Sequence, residues 1–490
     1  MASEQLTVGV TFLGYLALML YIGWRGYRST SDLPDFLLGG RRLGSWVAAL
    51  SAGASDMSGW LLLGLPGYAY LSGLESLWLA FGLLLGTWLN WRLQATRLRI
   101  YTEHAGNSLT LPEFFANRFH DHSGLLRGLS ALFILLFFLF YTSSMLVAGG
   151  KLFEAVFGVP YTWAVLLGAL TIILYTSIGG FLAVSWTDLV QALLMAGALV
   201  LVPLLALTST QGPGLAGLGR LDPQLLDVFT DRGGEPLSAI AVLSLLGWGL
   251  GYFGQPHILA RFKAIRTPRQ VPPARRIAVS WSALTLAGAI LVGMAGIPFF
   301  DPPLGDPETV FIELVNRLFH PLIGGVCLAA VLAAIMSTAD SQLLVASSTL
   351  TEDFYRTLVR PRAGSRELVL IGRGTVLLVA VIALTLALNP VSTVLGLVAY
   401  AWAGLGASFG PTLLLSLYWP RMTRSGALAG ILSGGLTVVI WKQLEGGLFD
   451  LYEIVPAVLI SSLAIVVISR LSPPPPPQVL AEFREVESAR

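Results

Sequence analysis

Charged residues are scarce in this chain: aspartate, glutamate, lysine and arginine together make up only 12% of its 490 residues. A soluble globular domain carries about a quarter of such residues, so this chain has too few to cover a folded surface in water. Hydrophobic residues make up 55%, and the mean hydropathy is +0.73. The scarcity of charge therefore excludes a water-soluble class and predicts an all-α polytopic membrane protein.

Cysteine and histidine are also rare, and the net charge of +2 gives no reason to expect a nucleic-acid partner. The single cysteine, Cys327, excludes an internal disulfide. The five histidines are all expected at or near loops: His104, His120, His122, His257 and His320. No facing intramembrane pair is then available for haem, and the three between 104 and 122 would make a poor metal site. We therefore expect no organic cofactor and no membrane enzyme.

Apolar runs fill most of the chain. The first residues, MASEQLTVGV, lack a basic region, so the run after them is expected to be a retained helix and not a secretory signal. About thirteen runs come near the ~20 residues that a bilayer requires. We number them as spans 1 to 13, at about 6–24, 43–72, 74–95, 125–150, 160–179, 186–210, 237–260, 277–300, 321–350, 368–388, 392–418, 425–442 and 452–470. Span 2, at about 45 Å if fully helical, must tilt or break.

Lysine and arginine are distributed very unevenly between the loops. We assume thirteen spans and an N-terminus outside the cell. Of the 30 basic residues, 25 then lie on the side of the membrane where the odd-numbered spans end. We call this the arginine-rich side, and the other the arginine-poor side. The positive-inside rule makes the arginine-rich side and the C-terminus cytoplasmic. Residues 1–472 form the predicted membrane domain, and 473–490, which open with PPPPP, are expected to be a stiff exit and a cytoplasmic tail.

Two spans contain windows that interrupt a helix. Residues 53–67, GASDMSGWLLLGLPG, hold four glycines, a proline and Asp56, and residues 247–256, GWGLGYFGQP, hold four glycines and a proline. A charge at the bilayer centre costs ~2.5–3.5 kcal/mol, so Asp56 is expected to face a cavity or a partner. Broken helices expose carbonyls and half-helix ends that bind ions and charged solutes, although small residues also serve simple helix packing.

The placement of the two windows suggests an internal symmetry. They lie in spans 2 and 7, which are five spans apart and so cross the membrane in opposite directions. Spans 2–6 and 7–11, at about 43–210 and 237–418, would then be inverted repeats of five helices. This is the architecture of an alternating-access secondary transporter.

Span 9 carries a third polar feature, AAIMSTADSQLL at 333–344. The hydroxyls of Ser337 and Thr338 share one helix face with the carbonyl of Ala334. Such hard oxygen ligands suit a small cation, and the break in span 2 could add the carbonyls of Ala54 and Met57. The alternative is that both hydroxyls simply bond back to their own helix.

Five stretches of the chain resemble the sodium:solute symporter family over nearly the whole length, and in particular its proline-importing bacterial members. The stretches are LGGRRLGSWVAALSAGASDMSGWLLLGLPG, GGFLAVSWTDLVQA, LGWGLGYFGQPHILARF, LAAIMSTADSQLLVASS and LVAYAWAGLGASFGP. The resemblance implies a leucine-transporter-type fold with a 5+5 inverted repeat. It also implies sodium-coupled import of L-proline across the bacterial cytoplasmic membrane by alternating access.

The resemblance assigns residues to two sites. One sodium ion would be bound by three carbonyls and two hydroxyls: Ala54, Met57, Ala334, Ser337 and Thr338. Asp56 would balance the ion's charge and organise the break. The substrate pocket would be lined by Asp56, Ser58, Trp60, Gly64, Tyr141, Trp248, Tyr252 and Pro256.

A second group is open to two interpretations. The resemblance links Arg41, Asp188, Asp340 and Ser341 to coupling or to a second sodium ion. Asp188 could equally be a helix N-cap to which Gln191 reaches back, and Arg41 could be one more cytoplasmic anchor. The carboxylate at Asp340, where other members often have a hydroxyl, leaves the number of coupled ions open.

Other functions remain as alternatives. Within the same fold, the solute could be another small amino or organic acid. A channel would require a pore-lining acidic ring, which the sequence lacks, and a transporter-like sensor would require a soluble signalling domain, for which the tail is too short. The expected partners are the small solute, sodium and membrane lipid, with no obligate protein partner evident.

Overall fold

The computed structural model describes residues 2–28, 33–176, 180–209, 213–390 and 392–489, and the described part is almost entirely helical, with no β-strand. Each predicted span corresponds to one helix or to a broken helix. Spans 1 to 13 are Ala2–Tyr27; Ser45–Asp56 with Trp60–Gly64 and Leu65–Ser72; Ser76–Leu93; Leu125–Phe157; Tyr161–Thr176; Phe181–Thr208; Ala239–Gly247 with Trp248–Gly254 and Pro256–Ala264; Val271–Gly296; Pro321–Ser348; Ser365–Ala387; Val394–Tyr418; Arg424–Trp441; and Ile454–Leu471.

Ten helices of the described part are long and apolar enough to cross a membrane, with Tyr161–Ile173 and Ala239–Gly254 as shorter apolar helices. A helix satisfies its own backbone hydrogen bonds, which is why apolar runs of this length adopt it in lipid. The chain is therefore a multi-pass membrane protein. The predicted ends of span 5 at residue 179 and of span 6 at residue 210 lie outside the described residues.

Both predicted interruptions are real breaks. Span 2 leaves the helix after Asp56, where Met57 has φ −82° and ψ 75°, and it resumes as a π-helical turn at Trp60. Span 7 narrows to a 3₁₀ helix over Trp248–Gly254 and becomes extended at Gln255, with φ −82° and ψ 107°. The prediction that span 2 must tilt or break is confirmed.

The two broken helices lie within one packed centre. The first half of span 2 packs against span 6, span 8, span 9 and the second half of span 7. The unwound part of span 7 packs so tightly on span 3 that a Cβ added to Gly86 would collide with the Gly249 carbonyl. Small residues allow such close backbone approach between membrane helices, where lipid gives no hydrophobic drive for association.

One interpretation of the sequence is wrong, and the tail forms an element that was not predicted. Span 6 begins at Phe181 with Gly180 as its N-cap, so the N-cap interpretation of Asp188 is wrong. After the prolines, the tail forms a helix, Pro477–Ser488, whose apolar side chains Val479 and Phe483 are buried. This helix packs on Ala95–His104, the helix that follows span 3, so the tail is an ordered part of the arginine-rich side.

Candidate functional site

Span 9 meets the break in span 2 through its two adjacent hydroxyls. Ser337 Oγ donates to the carbonyl of Ala54 at 2.8 Å and lies 3.2 Å from the carbonyl of Ala334. Thr338 Oγ1 lies 3.3 Å from the same Ala54 oxygen. Four of the five predicted sodium ligands thus form one hydrogen-bonded cluster, and all four residues are fully buried. Hydroxyl and carbonyl oxygens at such spacing can converge on a small hard cation.

Met57, the fifth predicted ligand, is the residue at which the helix ends. Its N–H donates to Gly53 at 2.8 Å, and its sulfur lies 3.6 Å from the Thr285 hydroxyl of span 8. The Met57 residue is fully buried. Its place at the end of the helix leaves its carbonyl outside the regular ladder of the first half-helix.

Asp56 is the last helical residue before the break and is only 3% exposed. Its Oδ1 atom accepts no hydrogen bond within the described part of the chain. Its main-chain carbonyl lies 3.3 Å from the Tyr141 hydroxyl and 3.4 Å from Trp60 Nε1. A buried carboxylate with an unsatisfied oxygen is costly, and a nearby cation would relieve that cost.

Aromatic rings from spans 2, 4 and 7 surround the same point. The rings of Trp60 and Trp248 are 6.2 Å apart, and the hydroxyl of Tyr252 lies near the Asp56 carboxylate. Ser58, also buried, accepts from the Trp60 N–H at 3.4 Å. The structure therefore places most of the predicted pocket residues around Asp56.

Gly64 and Pro256 have mainly backbone roles. A Cβ at Gly64 would come within 3.1 Å of the Leu395 side chain, so glycine permits close packing of span 2 on span 11. Pro256 is buried at the start of the second half-helix of span 7, where its missing N–H has no helical partner to lose.

Several polar side chains that the sequence analysis did not single out hold the unwound part of span 7 in place. Trp402 Nε1 donates to the Trp248 carbonyl at 2.8 Å, and Asn90 Nδ2 donates to the Tyr252 carbonyl at 3.0 Å. Gln255 Nε2 lies 3.1 Å from the carbonyls of both Gly251 and Trp402. These donors satisfy carbonyls that a continuous helix would have satisfied itself. Amide side chains inside apolar runs were the signal available in the sequence.

Asp188 belongs to a second polar cluster. Its Oδ2 accepts from Arg261 Nη2 at 2.9 Å and from Ser51 Oγ at 2.6 Å, and both side chains of the ion pair are fully buried. Arg261 also donates to Ser341 Oγ at 2.6 Å. With span 7 predicted to end at about residue 260, Arg261 is one of the 25 basic residues expected in loops of the arginine-rich side. That expectation is wrong, because the second half-helix of span 7 carries Arg261 inside the protein.

Asp340 and Ser341 follow the hydroxyl pair by one helical turn. Ser341 Oγ donates to the Ser337 carbonyl at 2.8 Å and lies 3.3 Å from Asp340 Oδ1. Asp340 Oδ2 has no hydrogen-bond partner among the described residues. The second cluster therefore continues from the first along one face of span 9.

Arg41 lies apart from both clusters. Its guanidinium donates to Asn107 Oδ1 at 3.0 Å and to the Lys263 carbonyl at 2.8 Å, and it reaches Thr102 Oγ1 at 3.2 Å. It thus fastens the connection before span 2 to the arginine-rich ends of spans 3 and 7. Burial, with a smaller effect of the nearby Arg99 charge, lowers the pKa of Arg41 to about 10.

His257 corrects another expectation. Every histidine was expected at or near a loop, but His257 is fully buried in span 7. Its ring packs against those of Phe138 and Tyr141 in span 4, at centroid distances of 5.7 Å and 5.9 Å. Within the described residues, no group of three histidine, cysteine or carboxylate side chains could hold a metal ion.

Comparison with known proteins agrees with this geometry. The profile of the Sodium:solute symporter family matches residues 36–434. The chain is 51% identical over 488 residues to the "Sodium/proline symporter" of Escherichia coli (strain K12), covering 98% of this chain and 96% of that protein. It is 49% identical over 475 residues to the "High-affinity proline transporter PutP" of Bacillus subtilis (strain 168), covering 96% and 99%.

A solved structure shows the same fold. A substrate-bound, outward-open Na⁺-coupled sialic acid symporter superimposes with a TM-score of 0.79 at 18% sequence identity, covering 96% of this chain and 98% of that one. The predicted leucine-transporter-type fold is thereby confirmed. The family profile covers most of the chain, and the 51% identity extends over nearly its full length. The chain belongs to the sodium:solute symporter family.

Proposed function

We propose that the protein is a sodium-coupled symporter that imports L-proline across a bacterial cytoplasmic membrane by alternating access. The observation that supports this function best is the convergence of Ser337 and Thr338 on the Ala54 carbonyl, beside the buried Asp56. Co-transport of an ion and an amino acid requires a cation-binding site next to a solute pocket, and this arrangement provides both. The names of relatives that are about half identical over nearly the whole chain support proline as the solute.

The proposed sodium ligands are the carbonyls of Ala54, Met57 and Ala334 and the hydroxyls of Ser337 and Thr338. The sodium ion carries one positive charge, and the carboxylate of Asp56, at the break in span 2, balances that charge. Because the ligands come from spans 2 and 9, sodium draws the two spans together and completes the pocket beside them. Coupling arises because the ion and the solute stabilise the same arrangement.

The proposed proline site uses the rings of Trp60, Trp248, Tyr141 and Tyr252. The pyrrolidine ring needs apolar and aromatic walls, which these side chains provide. The ammonium and carboxylate need polar groups and helix ends, and Ser58 and the half-helix ends at both breaks offer these. Gly64 and Pro256 shape the backbone around the pocket.

The remaining predicted residues take supporting roles in this proposal. Asp188, Ser341 and Asp340 line the way from the sodium site towards the arginine-rich side, where the ion leaves. Arg41 fastens that side.

The arginine excess makes the arginine-rich side cytoplasmic, with the C-terminus inside and the N-terminus outside. Residues 1–472 would then be the transporter domain, with repeats at about 43–210 and 237–418, and 473–490 the cytoplasmic tail.

The driving force follows from the charge that moves. Proline is a zwitterion, so transport with one sodium ion carries one net charge. A membrane potential of ~100 mV supplies ~2.3 kcal/mol for that charge. At ~1.4 kcal/mol per decade, the potential alone sustains roughly 50-fold accumulation, and a sodium gradient adds to it.

Uptake of radiolabelled proline into proteoliposomes tests the function. We expect uptake that rises with an inward sodium gradient and with an inside-negative potential. A potassium gradient of equal size, with the potential clamped, is the control and should give no stimulation. Equal uptake with and without sodium would overturn sodium coupling. Sodium-driven uptake of another small amino or organic acid, with none of proline, would overturn the choice of solute.

A further inference from the structure

Tyr452 comes from outside the predicted ten-helix repeats yet reaches the aromatic pocket. It lies in the connection between spans 12 and 13, just before Ile454 begins span 13. Its ring lies 5.4 Å from that of Trp248, with the two planes only 30° apart. Trp248 in turn faces Trp60 at 6.2 Å. The three rings form a row that leads from the break in span 2 to the arginine-poor side.

Two hydrogen bonds fix the position of Tyr452. Its hydroxyl donates to the Ala399 carbonyl in span 11 at 2.6 Å, and its N–H donates to Ser244 Oγ in span 7 at 2.9 Å. Tyr452 is therefore held between two different spans, unlike a residue in a loose surface loop. These bonds hold the ring at the point where the first half-helix of span 7 gives way to the unwound segment at Trp248.

Packing around Gly247 ties the same connection to span 7. A Cβ at Gly247 would lie 2.6 Å from Val455 Cγ2 and 3.8 Å from Tyr452 Cδ1. The start of span 13 therefore leaves no room for a side chain one residue before Trp248. The connection before span 13 and the start of span 13 thus pack directly behind the Trp248 wall of the pocket, although they lie outside both repeats.

We propose that Tyr452 is a positioning residue for the substrate pocket. It holds the Trp248 ring against Trp60 from the arginine-poor side and so sets the affinity for the solute's ring. This inference rests on the proposed function, because it treats Trp60 and Trp248 as pocket walls. The proposal predicts that replacing Tyr452 changes the affinity for the solute and does not change sodium binding at the proposed site around Ser337.

The test is a comparison of uptake kinetics in proteoliposomes that hold the full chain. Tyr452→Leu removes the ring, and we expect the proline KM to rise about 3- to 10-fold, because an aromatic pair contributes at about that level. The maximal rate per inserted protein and the sodium concentration for half-maximal uptake should stay within about twofold, as expected when solute binding is weakened equally in the ground state and in the rate-limiting transition state. Tyr452→Phe keeps the ring and should restore most of the affinity.

A matched control lies three residues away. Phe449 is in the same connection and packs on Trp441, at 4.9 Å, and not on the pocket. Phe449→Leu should leave the proline KM unchanged. If Tyr452→Leu fails to insert, Ser244→Ala removes the acceptor for the Tyr452 N–H and should raise KM in the same direction by a smaller factor.

The outcomes separate the two proposals. Sodium-driven proline uptake by the unmodified chain, with an unchanged KM in Tyr452→Leu or Ser244→Ala, overturns the role of Tyr452 alone. An equal rise in KM in Phe449→Leu also overturns it, because the effect would then belong to the connection as a whole. Absence of proline uptake by the unmodified chain overturns the proposed function, and the role of Tyr452 falls with it.

Discussion

The Ser337 hydroxyl lies 2.8 Å from the Ala54 carbonyl, across a separation of 283 residues in the chain. This contact joins span 9 to the point where span 2 loses its helical form. It brings a hydroxyl donor to a carbonyl in the last turn of a half-helix, two residues before Asp56. The proposed sodium site depends on this relationship.

Replacement of both hydroxyls, Ser337→Ala with Thr338→Ala, should raise the sodium concentration for half-maximal uptake at least about tenfold. Contacts from polar groups to a charge contribute ~1.5–3 kcal/mol, and ~1.4 kcal/mol corresponds to a factor of ten. The measurement is sodium-dependent proline uptake at fixed proline. Ser347→Ala is the control, because Ser347 is buried in the same helix but donates to Gly372. Normal sodium dependence in the double variant would exclude this cation site.

Asp56→Asn keeps the size of the side chain and removes its charge. We expect a higher sodium requirement and slower sodium-driven uptake, because the bound cation would lose its counter-charge. Sodium titration of uptake in membrane vesicles measures both quantities. Asp450→Asn, on the exposed connection between spans 12 and 13, is the control. The role of Asp56 would be refuted by a sodium titration that matches the unmodified protein.

The Asp188–Arg261 ion pair gives a prediction about stability. Asp188→Asn removes the carboxylate that pairs directly with the buried Arg261 guanidinium, and breaking such a buried pair costs ~3–5 kcal/mol, so the Tm of the detergent-purified protein should fall. Combining it with Arg261→Gln should recover part of the loss, because neither charge then remains. Arg360→Gln breaks the exposed Arg360–Glu367 pair and should change Tm little. A double variant less stable than Asp188→Asn would contradict this account.

Arg41 should remain charged throughout the physiological range. Its pKa is lowered to about 10, still far above neutral pH. A base with a lowered folded-state pKa destabilises the fold at all pH values below that pKa, and the penalty disappears only as pH rises towards the ordinary value. The ¹³Cζ chemical shift of Arg41, which reports the ionisation of its own guanidinium and is assigned by its loss in Arg41→Met, should therefore be constant from about pH 6 to about pH 9. A shift that changes over that range would show that Arg41 titrates lower.

The tail helix offers a test of both packing and orientation. Phe483 packs on Tyr101 at 6.2 Å and is 4% exposed, so Phe483→Asp should release Pro477–Ser488 from its contact. A glutamate-specific protease should then cut after the exposed Glu487 faster, and only in inside-out vesicles if the tail is cytoplasmic. Gln478→Ala, on the exposed face of the same helix, is the control. Equal cleavage of the Phe483→Asp and unmodified proteins would show that Phe483 does not hold the helix.

Composition and local patterns were enough to predict the membrane class, the positions of the spans and the two breaks. Each of these follows from local chemistry: too little charge for water, apolar runs of bilayer length, and glycine and proline grouped around Asp56. The resemblance added candidate residues, of which the hydroxyl pair and the rings around Asp56 do lie together. The arginine excess predicted one orientation for all spans at once, because each basic loop costs free energy to translocate.

The contacts between groups that are far apart in the chain could be identified only from the packed helices. In the sequence, Arg261 has the position of a loop arginine, but in the structure it pairs with Asp188, 73 residues away. The positive-inside rule only counts basic residues, so it gives no information about such a partner. Asn90 and Trp402 satisfy carbonyls of span 7, and Tyr452 reaches Trp248 from beyond the repeats. Periodicity and composition describe one helix at a time. Contacts between helices depend on how their surfaces pack in three dimensions, which no single stretch of sequence contains.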